Sequence, residues 1–356
     1  MADYLRRIVK FPGVLEHLRT WATRTSPHGV YLDACDGSIL RGEDCTAFDT
    51  PEKRKTCIPF SMCTDATTIG ANTKPISMTP VVCLCLALPE HLREKFTLMY
   101  LAACFPKRAK DPVFLEPIAD MFKRYGPGGE SIEVAPGVEF HVVKAWRVDD
   151  LGGIAGGINA KQHGAYAGAC IQCEIAGVRC VKINGSGSGS NKGTMYYPGA
   201  VTYLPFNTTE GKRIRDKFKA EYTEIRIREI AWRSAPEMMT AEKAFESADR
   251  VASGNLSRRE IQMEPYYGFN VWTKKLDYFD VVNASINDQF HELSNTIRDT
   301  FNIMRSNNLS SGGMHFSDKR RSWENAIGRF KGPFFVIIIS YYIVVMPLLY
   351  LYKYST

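Results

Sequence analysis

Apolar positions along this chain follow two rhythms. Alternation of period two marks Ile58, Phe60 and Met62 and ends at Asp65, which predicts a half-buried strand. A second apolar run over residues 79–88 stops at Pro89, and its nearness to the first predicts a hairpin partner in the same sheet. A third strand is predicted over 139–148, feeding Asp149 and Asp150. Helical spacing governs Leu5, Ile8, Val9, Leu15, Leu18 and Trp21, with Pro12-Gly13 as the interruption. The same spacing predicts an amphipathic helix over 114–125, closed by a Gly-Pro-Gly-Gly stop at 126–129, and another over 283–304. Residues 92–104 fit a helix or a strand, and the glycine-rich 151–168 opens a helix. Residues 31–55 read as loop with a turn at Asp36-Gly37, and 185–190 as a flexible Gly-Ser loop.

One stretch breaks this amphipathic pattern. Residues 333–352 carry no charge and are flanked by Lys331 and Lys353. About twenty apolar residues is the length of a membrane span, and equally that of a core helix in a large domain. The remaining composition is that of a folded chain, with 45% hydrophobic and 23% charged residues among 356. A net charge of +7 permits a nucleic-acid or acidic-membrane partner without demanding one. Ten irregularly spaced cysteines, with no apolar leader behind Met1, argue for reduced thiols rather than a secreted disulfide scaffold.

The candidate chemistry lies in three sets of residues. Asp65 and Asp149 end predicted strands, and a carboxylate there is tolerated best beside a cation. If those strands are neighbours, two hard oxygen donors meet at one end of a sheet and suit Mg²⁺ or Mn²⁺. Cys170-Ile-Gln-Cys173 has zinc-ligand spacing, with Asp288 and His291 as a distal pair and Cys180 as a spare ligand. Paired buried thiols are the plainer reading of the two cysteines. Lys212, Arg213, Arg215, Lys217 and Lys219 form a basic cluster, which reads as a solvated helix face or as a phosphate-contacting one. No P-loop, dinucleotide fingerprint or Gly-x-Ser-x-Gly element is present.

Several short segments, taken in order, look familiar. They are Phe11-Pro-Gly-Val14, Tyr31-Leu-Asp-Ala-Cys-Asp-Gly37, Thr64-Asp65-Ala66 and Ser77-Met-Thr-Pro80 followed by Leu88-Pro89. Val148-Asp-Asp-Leu-Gly152, Gly168-Ala-Cys-Ile-Gln-Cys173 and Tyr278-Phe-Asp-Val-Val282 through Asp288-Gln-Phe-His291 complete the series. The set resembles the eukaryotic cut-and-paste DDE/D transposases of the CACTA-like and related groups, over roughly residues 10–330. The resemblance implies an α/β fold, an RNase H-like mixed sheet flanked by helices, with a hydrophobic C-terminal helix. It divides the chain into an N-terminal region 1–55, a core 56–330 with an insertion at about 174–275, and the apolar segment 331–356. It implies metal-dependent DNA cleavage and strand transfer by Asp65, Asp149 and a third acid, with DNA as partner, a nuclear location and a homo-oligomer.

The third acid departs from the family pattern. Phe334 stands where that Glu is expected, and no Asp or Glu follows Glu324. Glu324 is therefore the late candidate, and the expectation is DNA binding with weak or absent cleavage. The competing expectation is a tail-anchored membrane protein with a non-enzymatic cytosolic domain.

Overall fold

The computed structural model of the chain describes residues 1–24, 26, 33–64, 67–69, 76–106, 111–149, 151–161, 165–182, 194–197, 208–209, 212–213, 216, 222–226 and 236–287. These belong to one compact unit, Met1–Asn287, so the apolar stretch 333–352 lies outside the described residues. Among the described residues no helix is long and apolar enough to cross a membrane.

Helices α1 (Ala2–Ile8) and α2 (Val14–Thr20) come first, separated by the predicted Pro-Gly break. Gly13 caps α2 with φ +77°, a left-handed conformation open to glycine at little cost. Short helices α3 (Ser38–Arg41) and α4 (Pro51–Thr56) follow. Thr50 caps α4 by accepting the Lys53 N–H, and Pro51 takes the first turn, where its missing N–H is harmless. The chain then enters β1 (Cys57–Thr64), β2 (Thr67–Ile69) and β3 (Ile76–Cys85). Helix α5 (Glu90–Arg93) leads to β4 (Tyr100–Pro106), so the ambiguous stretch 92–104 resolves mainly into an edge strand. Helix α6 (Asp111–Arg124), the hairpin β5 (Ile132–Ala135) with β6 (Val138–Asp149), and the glycine-rich α7 (Leu151–Gly157) come next. A small antiparallel sheet of β7 (Val178–Lys182), β8 (Thr194–Tyr196) and β9 (Tyr222–Arg226) stands apart from the main one. Helices α8 (Ala241–Ala252), α9 (Arg258–Met263) and α10 (Val271–Lys275) precede β10 (Ser285–Asn287).

The main sheet is mixed. β3 pairs antiparallel with β4 on one side and with β1, then β2, on the other. β1 pairs parallel with β6, and β6 parallel with β10. Across the sheet the order is β4, β3, β1, β6, β10. Pro80 of β3 sits between the residues that pair with β2 and those that pair with β1, where its missing N–H breaks no bond on that side. The expected hairpin neighbour β3 is therefore present, and the strand ending at Asp149 lies in the same sheet, on the other side of β1. The helix predicted over 283–304 is corrected where the chain is described. Residues 285–287 are a strand, because β6 offers an open parallel edge and backbone pairing there outweighs local spacing.

β1 is buried on both faces, as a central strand should be. On one face Phe60 meets Tyr4 of α1 and Phe122 of α6, with ring centroids 6.2 and 6.4 Å apart. Each such ring contributes about 1.5–3 kcal/mol through burial. Trp21 donates its indole N–H to the Cys57 carbonyl at 3.0 Å, tying the N-terminal region to β1. Described residues of the N-terminal region, from Tyr4 to Phe48, accordingly share the core of the sheet.

Candidate functional site at the end of the parallel strands

A bulge in β6 decides which side chains meet. Cys57 to Phe60 face His141 to Lys144, but Ser61 then faces Trp146 and Met62 faces Arg147. Ala145 is the extra residue. Strict alternation would send Lys144 and Arg147 to opposite faces; the bulge puts both on the face of Phe60 and Met62. Asp149, two residues beyond Arg147, joins them.

The result is a buried polar cluster. Arg147 Nε is ion-paired with Asp149 Oδ2, and the two side chains are 1% and 0% exposed. Thr64 at the end of β1 donates its backbone N–H to Asp149 Oδ1, and its hydroxyl lies 3.1 and 3.0 Å from the two carboxylate oxygens. Arg147 Nη2 donates to the Thr64 hydroxyl at 2.6 Å. Burial pushes the Asp149 carboxyl above the usual range, while the Arg147 charge and the Thr64 hydrogen bonds oppose that shift. Helix α7 packs against this cluster through Gly157, where any Cβ would collide with the guanidinium of Arg147.

Lys144 lies deeper and is held differently. Its Nζ sits 3.3 Å from the ring centre of Phe279 and 4.6 Å from that of Trp272. It has no hydrogen-bond partner among the described residues. Burial lowers its pKa well below the ordinary lysine value, and the nearby Arg147 adds to the effect. Neither Lys144 nor Arg147 was a candidate on sequence grounds. The available signal was three charges in an otherwise apolar run, Val142-Val-Lys-Ala-Trp-Arg-Val-Asp149, at spacings of three and two.

Three parallel strands finish together here. Asn287 of β10 stands opposite Asp149, and Thr64 bonds to it from the other side. In the sequence each strand is followed at once by an aspartate, Asp65, Asp150 or Asp288. Those three residues, His291 and Glu324 lie outside the described residues. Of the expected catalytic set, only Asp149 is described.

The remaining predicted residues fall elsewhere. Cys170 and Cys173 are half-buried and face each other closely enough for one thiol to donate to the other, which raises the pKa of Cys173, with burial adding to it. Cys170 Sγ accepts the Gln172 N–H at 3.4 Å, and Cys173 accepts that of Ile175. Two sulfurs are half of the four ligands that a tetrahedral zinc needs. No group of three or more His, Cys, Asp or Glu ligands occurs among the described residues. Lys212 and Arg213 are exposed, and Arg215, Lys217 and Lys219 lie outside the described residues.

Comparison with family models, with characterised proteins and with solved structures finds no match.

Proposed function

We propose that this chain is a transposase-derived DNA-binding protein on an RNase H-like sheet, with its ancestral cleavage centre closed. One observation carries the reading. Across the sheet the order is β4, β3, β1, β6, β10, with β4, β3 and β1 antiparallel, β6 and β10 parallel to β1, and Asp149 at the end of β6. A mixed order of this kind, with a carboxylate at the end of the parallel strands, supports the RNase H-like reading.

The residues present do not fit a divalent cation at Asp149. Both carboxylate oxygens already accept hydrogen bonds, and a guanidinium of the same charge sign as Mg²⁺ or Mn²⁺ lies against them. DNA contact falls instead to the basic cluster that includes Lys212 and Arg213, in a chain of net charge +7. A nuclear location and self-association accompany this reading. Zinc is proposed as a structural ion at Cys170 and Cys173. Elemental analysis of purified protein checks this, and protein without stoichiometric zinc would reduce the pair to buried thiols.

The decisive assay measures duplex binding and cleavage side by side. The expected result is salt-sensitive binding, weakened when Lys212 and Arg213 are changed to Gln, with no strand cleavage in Mg²⁺ or Mn²⁺. Metal-dependent cleavage that disappears in Asp149→Ala would overturn the closed-centre reading. Failure to bind DNA at low salt would overturn the whole proposal.

A further inference from the structure

A groove of about 490 Å³ opens between α8 and the segment that runs from Tyr266 through α10 to Val281. Four rings line it, those of Phe245, Tyr266, Phe269 and Phe279. Three carboxylates line it as well, those of Glu242, Glu246 and Asp277, and no lysine or arginine does. It is thus an aromatic groove with one sign of charge.

The details favour a cation. Phe245 is 56% exposed, unusual for a phenylalanine, and leans on Phe269 with ring centroids 5.1 Å apart. Tyr266 is 2% exposed, and its hydroxyl has no hydrogen-bond partner among the described residues. A buried, unsatisfied hydroxyl in the lining leaves polar capacity that a ligand would use. The same group of rings already receives lysine side chains. Phe279 takes Lys144 on its buried side, and Lys274 Nζ lies 5.8 Å from the centre of Phe269. Glu242 sits in the first turn of α8, where its own backbone N–H and the Thr240 hydroxyl favour the ionised form. Arg250, one turn along α8 from Glu246, approaches it only to 3.9 Å on the exposed surface.

We propose that this groove binds a lysine ammonium group of a basic peptide. The rings would cover its apolar stem and face the cation, and Glu242, Glu246 and Asp277 would supply the opposite charge. Such a contact would let a DNA-bound protein hold a lysine-rich partner through a surface separate from its basic cluster.

Fluorescence polarisation of a labelled lysine-rich peptide, titrated with the full chain, tests this. Saturable binding is expected, roughly tenfold weaker in Phe245→Ala and in the double variant Glu242→Gln/Glu246→Gln. The same peptide with its lysines acetylated keeps its shape, loses its charge and should not bind. Equal binding of the acetylated peptide, or wild-type affinity in the charge variant, would overturn the proposal. Phe245 is largely exposed, so its loss should leave the unfolding midpoint in place. If the midpoint moves, the Glu242→Gln/Glu246→Gln variant carries the test alone. Duplex DNA affinity is measured on the same samples, and unchanged DNA binding in the charge variant separates this site from the proposed DNA-binding function.

Discussion

The middle and the end of β6 each bury a cation, and they neutralise it by opposite means. At the strand end Arg147 meets a carboxylate and a hydroxyl, so charge is matched by charge, while its Nη1 has no hydrogen-bond partner among the described residues. In the middle Lys144 meets the rings of Phe279 and Trp272 and no acceptor among the described residues. Aromatic faces repay only part of the desolvation of an ammonium group, so Lys144 tends to shed its proton. A guanidinium cannot do so at any relevant pH, and it therefore persists in the interior only where a counter-charge is built in. Two basic side chains three residues apart thus obey different rules because one is built against a carboxylate and a hydroxyl and the other against aromatic rings.

Breaking the paired end should have the larger effect. Arg147→Met leaves Asp149 buried with only Thr64 for company, and the expected loss of stability is about 3–5 kcal/mol, the usual cost of orphaning one member of a buried pair. Urea denaturation of the two proteins measures it. A loss below about 1 kcal/mol, the range of exposed pairs, would mean that the pair is far more solvated than its burial indicates.

The unpaired middle should respond more gently and with a pH signature. The folded state lowers the pKa of Lys144, so the unfolded chain binds more protons between that lowered value and the ordinary 10.5. Stability then rises with pH across that window and falls as pH is lowered through it, by at most about 1.4 kcal/mol per pH unit. The charged and titratable groups near Lys144 are Arg147 and Asp149 on its own strand, Cys83 on β3 and Tyr278, whose hydroxyl accepts the Lys144 backbone N–H at 3.4 Å, besides the rings from α10 and the following loop. Burial raises the pKa of Cys83 to about 12, so this thiol stays protonated through the window. Lys144→Met should be more stable than the parent at pH 7, and the difference should shrink toward pH 10. Thermal melts at several pH values decide it, and parallel pH profiles for the two proteins would sink the account of a neutral buried amine.

The sheet was largely legible in the sequence because its strands announce themselves by period and by stop signals. Ile58, Phe60 and Met62 alternate, Pro89 and the Gly126–Gly129 stop punctuate the chain, and β3 does pair antiparallel beside β1 as the hairpin argument requires, with β6 in the same sheet. Strand β10 was hidden, since three residues are too few to set a period and their pairing depends on a strand well over a hundred residues earlier. The candidate site was legible only at Asp149. Its partners escaped because period-two reasoning assigns Lys144 and Arg147 to opposite faces.

By itself, the amino-acid sequence determined the apolar rhythm, the placing of acids after strands, the Cys-x-x-Cys spacing and the net positive charge, all of which are local or additive properties. Only the tertiary structure decided that Ala145 bulges out of β6, that Thr64 and Arg147 occupy the carboxylate of Asp149, and that Lys144 rests on Phe279 and Trp272. The reason is physical. A bulge changes facing by one residue while leaving composition untouched, and whether a buried charge is satisfied depends on groups contributed by other strands and helices. No window along the chain contains both partners of such a contact.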